Sequence, residues 1–328
     1  MLLNNSLQNC HSLEITDKHF ALPNCEHAVF MQFSVPPSPL QQLPPSALLA
    51  HPVWIKRDDL IHPEVSGNKF RKLKYPLLAL QERNLSVRLH TMGGPWSNHL
   101  HALAHAGARA GWPTRGLVRG AQGMSTATLD DCRRLGMEIQ FVSREAYRAL
   151  RDDPEEWRRT ILASDTSDVW FPEGGSTPDA LRGVAELVDE LPFIPEIMMV
   201  ACGTGATMAG LLAGLRGRGR VIGIAVLKNA DYLHKEIASL LQQAGYPTYT
   251  NYQLITDAHH GGYAKVPPEL RQFCRDFTQE IGIPIEPIYT GKLFFALKKM
   301  ADAHAFRDDE RIIAIHTGGM QGARGYVD

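Results

Sequence analysis

Between Val53 and His316 short β-branched or apolar runs alternate with stretches of helical periodicity. No other feature limits the fold as strongly, since strands separated by helices close into parallel sheets whose faces the helices cover. Strands are expected at 53–57, 87–91, 114–118, 137–142, 169–172, 197–202, 220–226, 251–255, 285–288 and 311–316. Helices are expected at 99–110, 179–190, 207–215, 233–244, 269–281 and 293–304. Ten strands crowd a single sheet, and the chain's 328 residues exceed the ~250 to 300 at which one core stops growing. The pattern predicts an α/β protein of two lobes sharing a cleft. Ahead of the first strand, Pro36, Pro37, Pro39, Pro44, Pro45 and Pro52 forbid helix and predict an extended arm wrapped on the body.

Charge narrows the partners. With 34 Lys and Arg against 35 Asp and Glu, the net charge is −1, so the chain lacks the basic surplus that phosphate neutralisation or an acidic membrane surface requires. No nucleic-acid or membrane partner is expected. The run Arg216-Gly217-Arg218-Gly219-Arg220 reads as a basic turn between a helix and a strand, since it is short and its surroundings are balanced. The first residues, Met1 to Ser6, carry no basic segment followed by an apolar one, and no run approaches ~18 apolar residues. The five cysteines are scattered and form no C-x-x-C. A reduced cytoplasm is the expected location.

Several segments carry groups suited to chemistry. Gly203-Thr204-Gly205-Ala206-Thr207 follows an apolar strand and opens an apolar helix, where glycines and free N–H groups can cradle an anion. It is not a dinucleotide fingerprint: Met208 occupies the third glycine position, and no acid ends the next strand. A small phosphate ester or a mere packing turn fits equally. In Ser66-Gly67-Asn68-Lys69-Phe70-Arg71-Lys72, an Asn68 N-cap would put Lys69 on a first helical turn with Lys72 on the same face. The helix dipole disfavours a cation there, a conflict relieved where the amine is neutralised; otherwise the pair is a solvated basic face.

Ser97, between Gly93-Gly94-Pro95-Trp96 and a helix, is an N-cap candidate offering a hydroxyl and N–H groups to a carboxylate. G-x-S-x-G is absent there, which disfavours a serine hydrolase. His101 and His105 stand at i and i+4, a metal spacing, but lack H-E-x-x-H, so no metal is expected. Tyr263 and Tyr289 lie in glycine contexts, and Thr317 follows an apolar strand.

Taken in order, Lys56-Arg57-Asp58-Asp59, Gly67-Asn68-Lys69 through Leu73, Ser97-Asn98-His99, Pro172-Glu173-Gly174-Gly175-Ser176, the loop 203–207, Tyr289-Thr290-Gly291-Lys292 and His316-Thr317-Gly318-Gly319 resemble the D-cysteine desulfhydrase and 1-aminocyclopropane-1-carboxylate (ACC) deaminase family. The resemblance implies pyridoxal 5′-phosphate and the two-domain, tryptophan synthase β-like fold (fold type II), with parallel sheets flanked by helices. The larger, cofactor-binding domain would comprise 1–72 and 173–328, and the smaller, 73–172, would close over the substrate. Lys69 would be the Schiff-base lysine. Lys72 would pair with a phosphate held by Gly203, Thr204, Gly205, Ala206 and Thr207. Asn98 would bond the phenolic oxygen, Thr317 would face the pyridine nitrogen, Ser97 would take the substrate carboxylate, and Tyr289 and Tyr263 would lie near the substrate.

The implied activity is that of a lyase or deaminase of small amino acids, D-cysteine first, releasing a 2-oxo acid and ammonia. ACC deamination, racemisation and cofactor binding without turnover are the alternatives. ACC deaminases typically carry Glu after the second tyrosine, where an acid keeps the pyridine nitrogen protonated; Thr290 stands there and favours β-elimination over ring opening. Trp96 replaces the family's usual Gln, which would put an indole at the mouth of the site. A homodimer is the expected assembly.

Overall fold

The structure, a computed structural model, describes residues 36–43, 45–46, 49, 51–65, 67–83, 87–153, 155–161 and 167–326. Most of the expected arm lies outside them, as does Ser66. The arm's described part forms β1 (Leu40–Leu43), antiparallel to β2 (Val53–Lys56). Helix α1 (Asn68–Glu82) then leads into β3 (Arg88–Gly93), α2 (Asn98–Ala110) and β4 (Thr114–Arg119). Next come α3 (Ala127–Arg134), β5 (Glu138–Val142), α4 (Arg144–Asp152), α5 (Glu156–Thr160) and β6 (Asp168–Phe171). The chain continues through α6 (Pro178–Asp189), β7 (Ile197–Cys202), α7 (Ala206–Leu215), β8 (Arg220–Ala225), α8 (Leu233–Gln243) and β9 (Tyr252–Ile255). It closes with α9 (Pro268–Ile281), α10 (Thr290–Asp302), β10 (Ile312–Ile315) and a 3-10 turn at Met320–Gly325.

Two sheets result. Six strands run in the order β1-β2-β10-β7-β8-β9, parallel except for β1, and four run β5-β4-β3-β6, all parallel. Parallel strands covered on both faces need no polar face, and β7, Ile-Met-Met-Val-Ala-Cys, is buried throughout. α6, α7 and α8 cover one face of the larger sheet, and α9 and α10 the other. α1, α2 and α3 pack on the smaller sheet. Among the described residues no helix is long and apolar enough to cross a membrane.

Local signals account for the element ends. Ser97, Thr126, Ser143 and Thr177 cap α2, α3, α4 and α6 by accepting backbone N–H groups, and Pro178 fills the first position of α6. Two expectations fail. Residues 285–288 form no strand: Pro284 and Pro287 remove ladder donors, and the segment turns into α10. Asn68 is not the N-cap of α1 but its first helical residue, Gly67 taking the cap position at φ 63 and ψ −141. A Cβ at Gly67 would lie 1.8 Å from the Thr317 carbonyl oxygen, so only glycine lets the start of α1 reach the end of β10.

Beneath α1 lies a buried ion cluster. The Arg71 guanidinium donates to Asp58 at 2.7 and 2.8 Å and to Glu190 at 2.8 and 2.9 Å. Lys56 donates to Glu190 and to the Ser38 carbonyl, each at 2.6 Å, while the Ser38 hydroxyl donates to Asp58 at 2.6 Å. Part of the Lys56-to-Asp59 motif thus anchors the helix that carries Lys69 and Lys72.

Candidate active site

The strand ends of both sheets and the N-termini of α1, α2 and α7 converge on one cavity. Lys69, Lys72, Ser97, Asn98, Gly203, Thr204, Gly205, Thr207, Tyr263, Tyr289 and Thr317 all line it. Ala206, fully buried, is the first residue of α7 behind them. Lys69 and Lys72 both donate to the Gly174 carbonyl, at 3.4 and 3.3 Å. Burial pulls the Lys69 amine down to about 8 against the opposing charge of Glu173. Lys72 falls well below its ordinary value through burial and the neighbouring Lys69 charge.

The glycine loop is built for an anion. Gly205, at φ 80, turns β7 into α7, and no side chain caps the helix, so its first N–H groups are left for another acceptor. Asn68 donates to the Thr207 hydroxyl at 2.9 Å, fixing the start of α1 against the start of α7. Across the cavity the Ser97 hydroxyl accepts from the His99 and Leu100 N–H groups at 3.2 and 3.3 Å. Asn98 accepts from Gln321 and abuts Gly319, where a Cβ would meet its amide nitrogen at 2.3 Å.

Other groups meet the site without a role assigned to them from the sequence, although His99, Glu173 and Lys292 stand within its motifs. His99 is buried with neither ring nitrogen partnered; burial, then the charges of Lys69 and Lys72, keep it neutral. Arg119, Tyr147, Arg151, Glu173 and Tyr232 also line the cavity. Tyr147 donates to Glu173 at 2.6 Å. Lys292 donates to the Gly262 and Val226 carbonyls at 2.8 and 3.3 Å, holding the loop of Tyr263, whose hydroxyl lies 3.5 Å from that of Tyr289. Glycine motifs advertised the loops, but no local signal marked which distant side chains would meet them.

Two sequence expectations need correction. Thr290 does not line the cavity: it is fully buried, and its hydroxyl lies 3.0 Å from the Glu286 carboxylate. That carboxylate also accepts the Ile288, Tyr289 and Thr290 N–H groups at 2.6 to 3.1 Å. Trp96 does not occupy the mouth either; its indole packs on Gly325, where a Cβ would meet it at 2.7 Å. His101 and His105 face Asp131 at 3.4 Å and Glu64 at 3.9 Å, outside the cavity.

The cavity thus joins a buried, readily neutralised amine to an uncapped helix start behind a glycine turn. Residues 31–318 match the family model for pyridoxal-phosphate dependent enzymes. The chain belongs to this family. A putative ACC deaminase of Pyrococcus horikoshii is 30% identical over 302 residues, covering 89% of this chain and 92% of the relative. The bifunctional D-cysteine desulfhydrase/ACC deaminase of Arabidopsis thaliana, mitochondrial, is 26% identical over 300 residues, 84% of this chain and 74% of the relative. The crystal structure of an ACC deaminase homologue superposes with a TM-score of 0.76 at 28% identity, covering 88% of this chain and 91% of that one. The family's fold, parallel sheets flanked by helices, is the fold observed. The residues present fit pyridoxal phosphate: the amine of Lys69 suits its aldehyde, and the bare N–H groups of α7 suit its phosphate.

Proposed function

We propose that the protein catalyses β-elimination from a small amino acid, D-cysteine first, giving a 2-oxo acid and ammonia. The observation that carries this reading is the group at the cavity end of β10, the hydroxyl of Thr317 and not a carboxylate. Pyridoxal phosphate, when bound, supplies the electron sink. Thr317 facing its ring nitrogen would leave that sink weak, so a good leaving group such as thiolate would be favoured over a cyclopropane carbon. The name of the Arabidopsis relative carries both reactions and that of the Pyrococcus relative ACC deamination alone, which makes ACC opening the second reading.

Each side chain has a part in this scheme. Lys69 would hold the cofactor aldehyde and take the proton from the substrate's α-carbon. Lys72 and the backbone from Gly203 to Thr207, Ala206 included, would hold the phosphate. Asn98 would bond the phenolic oxygen. Ser97 spends its lone pairs on two N–H groups, leaving its hydrogen for the substrate carboxylate. Tyr289 and Tyr263, both pushed up by burial, stay protonated and orient the substrate. Residues 73–172 would form the smaller domain that closes over it, against a larger one from 1–72 and 173–328. A cytoplasmic homodimer completes the reading.

The test offers D-cysteine, L-cysteine, D-serine and ACC at equal concentration and measures sulfide and 2-oxo acid. Sulfide with pyruvate from cysteine is expected. Efficient 2-oxobutyrate from ACC without sulfide would overturn the reading.

A further inference from the structure

Among the described residues Glu173 is the only carboxylate lining the cavity. Among the described residues its side chain has a single hydrogen-bond partner, the Tyr147 hydroxyl at 2.6 Å, and no cation pairs with it. Its backbone follows Pro172 and turns at once through two glycines at φ 69 and 68. The next carbonyl, that of Gly174, receives both Lys69 and Lys72. The acid therefore stands one residue from the point on which both amines converge. Its charge opposes the effect of burial at Lys69 and adds to it at Tyr147, Tyr232, Tyr263 and Tyr289, which places it centrally.

Such a carboxyl has no structural ion pair to serve. The cavity's phenols are held above their ordinary range by burial, so they orient a substrate better than they release protons. A departing hydroxyl needs a proton, whereas chloride does not.

We propose that Glu173, positioned by Tyr147, is the acid that protonates the leaving group, extending the substrate class to β-hydroxy amino acids. This rests on the β-elimination reading above. The Cα–H bond breaks and its proton passes to the Lys69 Nζ. The resulting Lys69 ammonium hands that proton to the Glu173 carboxylate, and as the Cβ–O bond breaks with its electron pair on oxygen, that oxygen takes the proton from Glu173 and leaves as water. Glu173 ends as the carboxylate it began as and Lys69 as the free amine, so the cycle closes without another reactant.

The test compares wild-type, Glu173→Gln and Tyr147→Phe holoenzymes on β-chloroalanine and serine, both enantiomers of each, following 2-oxo acid. Glu173→Gln should lower kcat/KM on serine by ~100-fold and on β-chloroalanine by no more than ~3-fold. Tyr147→Phe, which keeps the cavity's shape, should show the same split at ~10-fold on serine. In the apoprotein, the pH at which Lys69 becomes reactive toward an acylating reagent should fall in Glu173→Gln. Equal losses on both substrates, or no movement of the Lys69 titration, would overturn the proposal. So would wild-type release from β-chloroalanine with none from serine, although elimination itself would then stand. Silence of the wild type on every substrate would instead sink the β-elimination reading, and this proposal with it.

Discussion

Replacing Arg71 by Met tests whether the ion cluster under α1 holds the site together. The guanidinium is 2% exposed and Asp58 is 0% exposed, and its four hydrogen bonds to Asp58 and Glu190 span 2.7 to 2.9 Å. Removing one member of a buried pair costs ~3 to 5 kcal/mol, because the partner stays behind unpaired. Here Lys56 still pairs with Glu190 at 2.6 Å, so Asp58 is the abandoned charge and the lower end, ~3 kcal/mol, applies. Adding Asp58→Asn, which can still accept from Ser38, should recover about half of that loss. Urea unfolding of the holoprotein followed by circular dichroism reads both values as midpoint shifts at constant slope. The loss should also depend on pH. Burial pushes the Glu190 carboxyl up, but hydrogen bonds from Arg71 and Lys56 outweigh it and hold the group below its ordinary value. A depressed carboxyl stabilises the fold above the unfolded value and loses that contribution as pH falls through the folded one. The variant lacks part of it, so the gap between the two midpoints should narrow below pH ~4. A loss under ~1 kcal/mol at pH ~7.5, as for an exposed pair, or a gap that widens on acidification, would refute this reasoning.

Lys69→Ala should abolish borohydride-stable attachment of the cofactor, and peptide mapping of the reduced wild type should find it on Lys69 alone; uptake by the apoprotein should accelerate as pH rises through about 8, where the amine loses its proton. Gly205→Val should weaken cofactor retention on dialysis more than Thr207→Ala does, because a side chain at φ 80 is strained and meets Ile237 at 2.9 Å; full occupancy in both would make the loop a packing turn. Ser97→Ala should raise KM by the loss of a charge-assisted hydrogen bond, ~1.5 to 3 kcal/mol, and lower stability by only ~1 kcal/mol for the missing cap, with the resting absorbance kept; an unaltered kcat/KM would remove it from the site.

The parallel core was legible because its strands are continuous apolar runs: 197–202 is read directly as β7, buried on both faces. Residues 285–288 misled for the same reason. Ile283, Ile285 and Ile288 are buried, but the intervening prolines leave no ladder, and Glu286 caps the turn instead. The expectation for Thr290 failed because a residue's place in a motif does not state which way its side chain turns. Helices α3, α4 and α5 went unread although Thr126 and Ser143 cap two of them; their outer faces are charged and their apolar stripes short. In the site, Lys69, Ser97 and the glycine loop announced themselves through local conflicts with helix electrostatics and turn geometry. Glu173, Tyr147 and Lys292 could not, since their meaning comes from partners such as Tyr147 for Glu173, 26 positions away, and Gly262 for Lys292, 30 away.

The strand order sets a timetable for biosynthesis. β10, the last strand of the larger sheet in chain order, lies between β2 and β7, so a nascent chain halted before Ile312 has β1 and β2 hydrogen-bonded to no other strand of that sheet. The smaller sheet, assembled from residues 88 to 171, can pair its own strands while the ribosome is still translating. The carbonyl of Thr317 that receives the start of α1 does not yet exist. Closure of the larger sheet, and with it the bond from the Asn68 N–H to that carbonyl, therefore waits until residues 312 to 317 have been made.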